Sequence, residues 1–118
     1  MTTESDIVTA LTSLVSGRIF PDAADFSTPK PYITYSQVGG EAVAFLERAM
    51  PSKKNGRYQV NVWAADRAGA AALALQIESA LVLSTAFQAS AEGAPTALFE
   101  ADLKLYGSMQ DFSIWSDR

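Results

Sequence analysis

The sequence predicts an α+β fold, a two-layer sandwich in which two amphipathic helices pack on one face of a mainly antiparallel sheet. Two stretches repeat apolar residues at helical spacing, near residues 7–15 and 70–81. A third stretch, Arg57 to Ala64, alternates apolar and polar residues as a half-buried strand does. The remaining extended segments are joined by short turn signals, which favours antiparallel neighbours over crossovers.

The first helix starts at Thr3-Glu4-Ser5-Asp6. Thr3 is the expected cap and Asp6 suits the positive end of the helix dipole. Ile7, Val8, Leu11, Leu14 and Val15 form its apolar stripe, and Gly17 ends it. Arg18 to Pro21 reads as a short extended piece and residues 22–31, with Pro29 and Pro31, as a loop. Tyr32 to Val38 is rich in β-branched and aromatic residues and reads as a strand, interrupted by Gly39-Gly40. Ala42 to Met50 is ambiguous by period and leans towards strand. Pro51 to Gly56 carries turn chemistry, with Asn55-Gly56 its sharpest signal.

In the alternating segment, Tyr58, Val60, Val62 and Ala64 share one face and Arg57, Gln59, Asn61 and Trp63 the other. Asp66 is placed to cap a second helix running to about Thr85, with a core stripe of Ala70, Leu73, Ala74, Ile77, Ala80 and Leu81. Phe87 to Ala91 suits a short strand, and Gly93-Ala94-Pro95 a break. Leu98 to Tyr106 and Met109 to Ser116 flank Gly107-Ser108, the pattern of a type II′ hairpin. That register pairs Tyr106 with Met109, Lys104 with Asp111 and Glu100 with Trp115. It also puts Phe99, Ala101, Leu103 and Leu105 on the face of Phe112 and Ile114.

Composition narrows the function. A chain of 118 residues makes one domain, residues 1–118, with 48% hydrophobic and 19% charged residues, a globular balance. It has no cysteine, which excludes disulfides, thiolate metal sites and a cysteine nucleophile, and no histidine, the commonest general base. Its net charge is −4, and Lys53-Lys54 is the only adjacent basic pair, so no footprint for nucleic acid is expected. The acidic start, Met1 to Asp6, is unlike a signal peptide, no run is long enough to span a membrane, and a cytoplasmic protein is expected.

Motifs for nucleotide, nucleophile and zincin chemistry are absent. Glu100, Asp102 and Asp111 could gather round a hard cation, or form a solvated face with Lys104 balancing Asp111. No cofactor is expected and the sequence reads as a non-enzymatic binding domain. Trp63, Trp115, Tyr106 and Met109 fall on the polar side of their strands, either as a protein interface or beneath a loop such as 22–31 or 39–50. Leu75 and Val82 lie away from the core stripe of the second helix, as interface residues or as ordinary surface residues.

The order of these segments resembles the small tail-completion proteins of long-tailed bacteriophages and prophages, also described as tail-terminator or head–tail joining proteins. The matching pieces are the first helix closing on Gly17-Arg18-Ile19-Phe20-Pro21, then Pro31-Tyr32-Ile33-Thr34-Tyr35, Arg57 to Ala64, the Ala-rich second helix, and Asp111-Phe112-Ser113-Ile114-Trp115. The resemblance implies a structural protein assembled in the host cytoplasm into the virion tail. It also implies a homo-oligomeric ring, often a hexamer, at the head-proximal end of the tail tube, with tube and head-connector proteins as partners. The other reading is a small monomeric or dimeric adaptor that binds a peptide or ligand in a groove.

Overall fold

A computed structural model describes residues 2–25, 27–43 and 50–118. The elements in order are α1 (Thr3–Leu11) with a 3₁₀ turn (Thr12–Val15), β1 (Ile19–Pro21), β2 (Tyr32–Gly39), β3 (Lys53–Ala64), α2 (Arg67–Val82), β4 (Gln88–Ala91), β5 (Thr96–Glu100) and β6 (Leu105–Asp117). The fold is α+β, with one mixed sheet of six strands and both helices on the same face.

Thr2, not Thr3, caps α1. Its hydroxyl accepts from the Ser5 backbone at 3.0 Å, while the Ser5 hydroxyl takes the Thr2 N–H at 3.2 Å. Asp6 therefore sits one position further in than the sequence suggested. Thr3 is buried, and its hydroxyl is engaged 2.7 Å from that of Ser116, tying α1 to the end of β6. Ile7, Leu11 and Val15 enter the core as expected. Asp66 caps α2 by accepting from Gly69 N at 2.6 Å, and Ala70, Ala74, Ile77 and Leu81 are buried against the sheet. The helix ends at Val82, three residues before the expected Thr85.

The sheet is built around β3 and β6. All twelve residues of β3 pair antiparallel with β6, from Lys53 opposite Asp117 to Ala64 opposite Tyr106. β2 lies on the outer side of β3, and β1 runs parallel to β2 at that edge. On the other side of β6, β4 pairs with Phe112 to Trp115 and β5 with Leu105 to Met109, so the two lie end to end along one edge. Tyr58, Val60, Val62, Phe112 and Ile114 form the sheet's side of the core, beneath Ile7, Leu11, Ile77 and Leu81.

Two turn expectations fail here. Asn55-Gly56 is no turn; both residues lie in β3, opposite Trp115 and Ile114. Gly56 is needed because a Cβ there would meet the Tyr58 ring at 2.5 Å. Gly107-Ser108 is no hairpin either, since β6 runs straight through it. The chain reverses at residues 101–104 instead, with Lys104 left-handed at φ 50° and its N–H donating to Ala101 O. The observed register sets Glu100 opposite Leu105, Phe99 opposite Tyr106 and Thr96 opposite Met109. Lys104 therefore does not meet Asp111, and Trp115 faces Gln88 rather than Glu100. Leu105 lies on the face away from Phe112 and Ile114, and Ala101 and Leu103 belong to the turn. Of the segment read as leaning towards strand, residues 44–49 lie outside the described residues, and Ala42, Val43 and Met50 are not in a strand.

Gly107 is required by geometry instead of by turn chemistry: the Trp63 ring lies across it, and a Cβ would come within 2.7 Å of that ring. Gly107→Ala should therefore destabilise the fold by about 1–3 kcal/mol in chemical denaturation. In a Trp63→Ala background the same change should cost less than half as much, and equal costs in the two backgrounds would disprove the contact.

Tyr32, Tyr35 and Tyr58 are buried, and burial pushes each phenol above its ordinary value near 10, with Glu4 adding to the effect at Tyr35 and Tyr58. A group raised on folding contributes stability that is complete below its unfolded pKa and lost as pH rises through the folded one. The thermal midpoint should stay level from about pH 7 to about pH 9 and fall above about pH 10. Tyr58→Phe should make that alkaline fall shallower, measured as melting temperature against pH.

Candidate protein interfaces

The ladder sorts side chains between a helix-covered face and an open face. On β6 the even-numbered residues from Ser108 to Ser116 face the helices and are buried. The odd-numbered residues face the open side with Asn55, Arg57, Gln59, Asn61 and Trp63 of β3. The middle of the open face is polar. Arg57 Nη2 lies 3.0 Å from Asp111 Oδ2, and this pair replaces the expected one between Lys104 and Asp111. Glu100 accepts the Asp102 N–H at 3.1 Å in the β5–β6 turn, far along the strand from Asp111. The three carboxylates do not converge, and no metal-holding cluster occurs among the described residues.

Trp63, Met109 and Trp115 share the open face, each half-buried. They do not form one patch. Gly107, beneath Trp63, and Trp115 are eight residues apart on β6, roughly 27 Å at strand spacing. At one end Trp63 lies over Gly107 and lines a pocket of 290 Å³ with Tyr32, Leu105 and residues 22–24. Part of the 22–31 loop thus does border it. At the other end Trp115 lies between Asn55 and Gln88, near the exposed edge of β4.

Tyr106 is not with them. It pairs with Ala64 and Phe99, on the helix side of the sheet. There it meets the Phe99 ring at 4.9 Å, and the Arg67 guanidinium sits 5.3 Å from its centre. The error follows from the misplaced turn. In a hairpin at 107–108 Tyr106 and Met109 would pair and share a face; in a continuous strand they are three residues apart and point oppositely.

Leu75 and Val82 project from α2 into solvent, 64% and 45% exposed. Leu83, at the helix end, is 78% exposed and was not singled out from the sequence. It falls beside Val82 on the same outward turn, a signal the helical spacing carried. Phe99 and Leu103, exposed at the β5–β6 turn, were also missed. The hairpin register assigned them to the core, so no reading of that register could have found them.

The outward side of α2 contains Ala68, Ala71, Ala72, Leu75, Gln76, Ser79 and Val82. The helix carries only two charged residues. Arg67, in its first turn, donates to Gly107 O and Leu98 O, and Glu78 accepts from the buried Gln110. The rest of the solvent-facing surface is uncharged. Apart from Gln76 and Ser79 its side chains are small or apolar, a less polar outer side than a helix facing water ordinarily carries.

No curated protein matches the chain. The family model for tail completion protein gp17 matches residues 8–117, from within α1 to the end of β6, with every strand and α2 included. This chain therefore belongs to the tail completion protein gp17 family.

Proposed function

We propose that this chain closes, with further copies of itself, into a ring at the head-proximal end of a phage tail tube, and that the outward side of α2 is part of the contact between copies. Family membership makes the chain a structural component of a phage tail that meets other tail or head proteins. The observation that carries the ring is α2, whose uncharged outer surface, with Leu75 64% exposed, has no partner among the described residues. A helix of sixteen residues offers about 24 Å of such surface. Packed on a different surface of the next copy it makes a head-to-tail contact, the kind that closes a ring. Six copies is the number the resemblance implies. No step of this role requires catalysis.

Light scattering on a size-exclusion column, over a range of protein concentrations, tests the reading. A discrete ring is expected. Leu75→Glu and Val82→Glu should each dissolve it with stability changed by no more than about 0.5 kcal/mol, since both sites are exposed in the single chain. A chain that stays monomeric at high concentration, with or without tail tubes, would favour a monomeric adaptor. A ring indifferent to both substitutions would move the contact off α2.

A further inference from the structure

We infer that the outer edge of β4 is an acceptor for one extended strand of a partner protein, uncharged and alternately apolar, added beside Gln88–Ala91. Glu92 N donates to Asp111 O at 2.8 Å, which fixes the alternation along this edge. Gln88 and Ser90 turn their backbone groups to β6, opposite Trp115 and Ser113, and Ala89 and Ala91 turn theirs outward. Those N–H and C=O groups have no partner among the described residues.

The edge also lacks the devices that keep edges from pairing. Residues 84–91 include no charged residue and no proline. The edge of β1 is closed. On β1, Arg18 O and Asp22 N bond to β2, so Ile19 and Pro21 face outward. Ile19 N is taken by Gly17 O at 3.0 Å, Pro21 has no N–H, and Pro21 O accepts from Ala23 N at 2.7 Å. β5 turns Ala97 and Phe99 outward, between Pro95 and the charged Glu100.

Space for a strand's side chains lies beside the edge. A groove of 490 Å³ wraps it, lined by Val82, Phe87, Ala89 and Trp115 among others. Val82 lies on the helix side of the edge and Trp115 on the open side, so alternate side chains of an added strand would reach one or the other. A second groove, of 430 Å³, continues past Phe87 and Trp115, and its two charged residues, Lys53 and Asp117, already pair with each other. Nothing along the edge offers a charge to a charged partner. Among the described residues, the other outward-facing stretches are flanked by proline and charge in β5 and by the irregular pairing between Gln37 and Gly39 in β2, which is why the occupant is a strand of a different protein. The groove shares Val82 with the proposed ring contact, and light scattering reads ring closure separately from strand addition.

The test uses the intact chain and a soluble probe strand, Thr-Val-Thr-Val-Thr-Val-Lys, with amide exchange followed by NMR. At a probe concentration about ten times its Kd, exchange at Ala89 and Ala91 should slow about tenfold. Trp115 fluorescence should shift. The same peptide N-methylated at alternate residues should do neither. Ala89→Pro and Ala91→Pro each remove one outward N–H, and should abolish protection while leaving the far-UV spectrum unchanged. Should either variant fail to fold, the N-methylated peptide still decides. No protection at millimolar probe, equal binding by the N-methylated peptide, or perturbation confined to another surface each overturns the proposal. So does protection of Ala89 and Ala91 that grows with protein concentration in the absence of probe, which would give the edge to a second copy paired by two-fold symmetry.

Discussion

The antiparallel ladder between β3 and β6 is the constraint on which the rest of the molecule depends. Phe112 and Ile114, with no solvent exposure, lie opposite Tyr58 and Gly56 on the covered face. Each fully buried side chain of that size contributes about 1.5–3 kcal/mol, and each ladder hydrogen bond about 0.5–1.5 kcal/mol net. A favourable turn dipeptide is a local preference, no larger than a few such bonds. The ladder therefore runs straight through Asn55-Gly56 and Gly107-Ser108. Its twelve residue pairs run for about 41 Å at strand spacing. Thr3 joins α1 to one end through Ser116, and Arg67 joins α2 to the other through Gly107.

Much of this was legible in the residues. Period placed both helices and the Asp66 cap placed the start of α2; of its expected stripe Ala70, Ala74, Ile77 and Leu81 are buried, with Leu73 and Ala80 packed half-buried against the core. Alternation sorted Arg57 to Ala64 correctly between faces, because the sense of a strand's faces is written in its own side chains. Its length is not, since pairing partners decide where a strand ends. The glycines were the weak point. A glycine marks either a turn or a close approach, and sequence alone does not separate the two. Gly107 and Gly56 lie under the rings of Trp63 and Tyr58, and that requirement exists only once the strands are paired. Thr3 misled for a similar reason, as its hydroxyl is spent on a residue 113 positions away.

The candidate surface was legible only where it lies on one element. Leu75 and Val82 follow from the helical wheel of α2 alone. Trp63, Met109 and Trp115 keep a common face because their strand parities are independent of the turn, whereas Tyr106 changes sides once the turn moves. The edge of β4 was invisible, because being at an edge is a property of strand order and not of residues 88–91. The expected carboxylate trio is separated on the same ground: Glu100 ends β5, Asp102 sits in the turn after it, and Asp111 is paired with Arg57 in mid-strand.

The surfaces left uncovered differ in kind, and that difference limits what can fill each. The outward side of α2 has its backbone closed by its own helical hydrogen bonds, and Leu75 and Ala71 line a pocket of 310 Å³ beside Pro95 and Ala97, so it is suited to side-chain packing against another folded surface. The edge of β4 carries unpaired backbone donors and acceptors and is suited to a strand. A single partner type does not match both. Closing the edge of β1 through Gly17, Pro21 and Ala23 removes one site for open-ended sheet growth between copies.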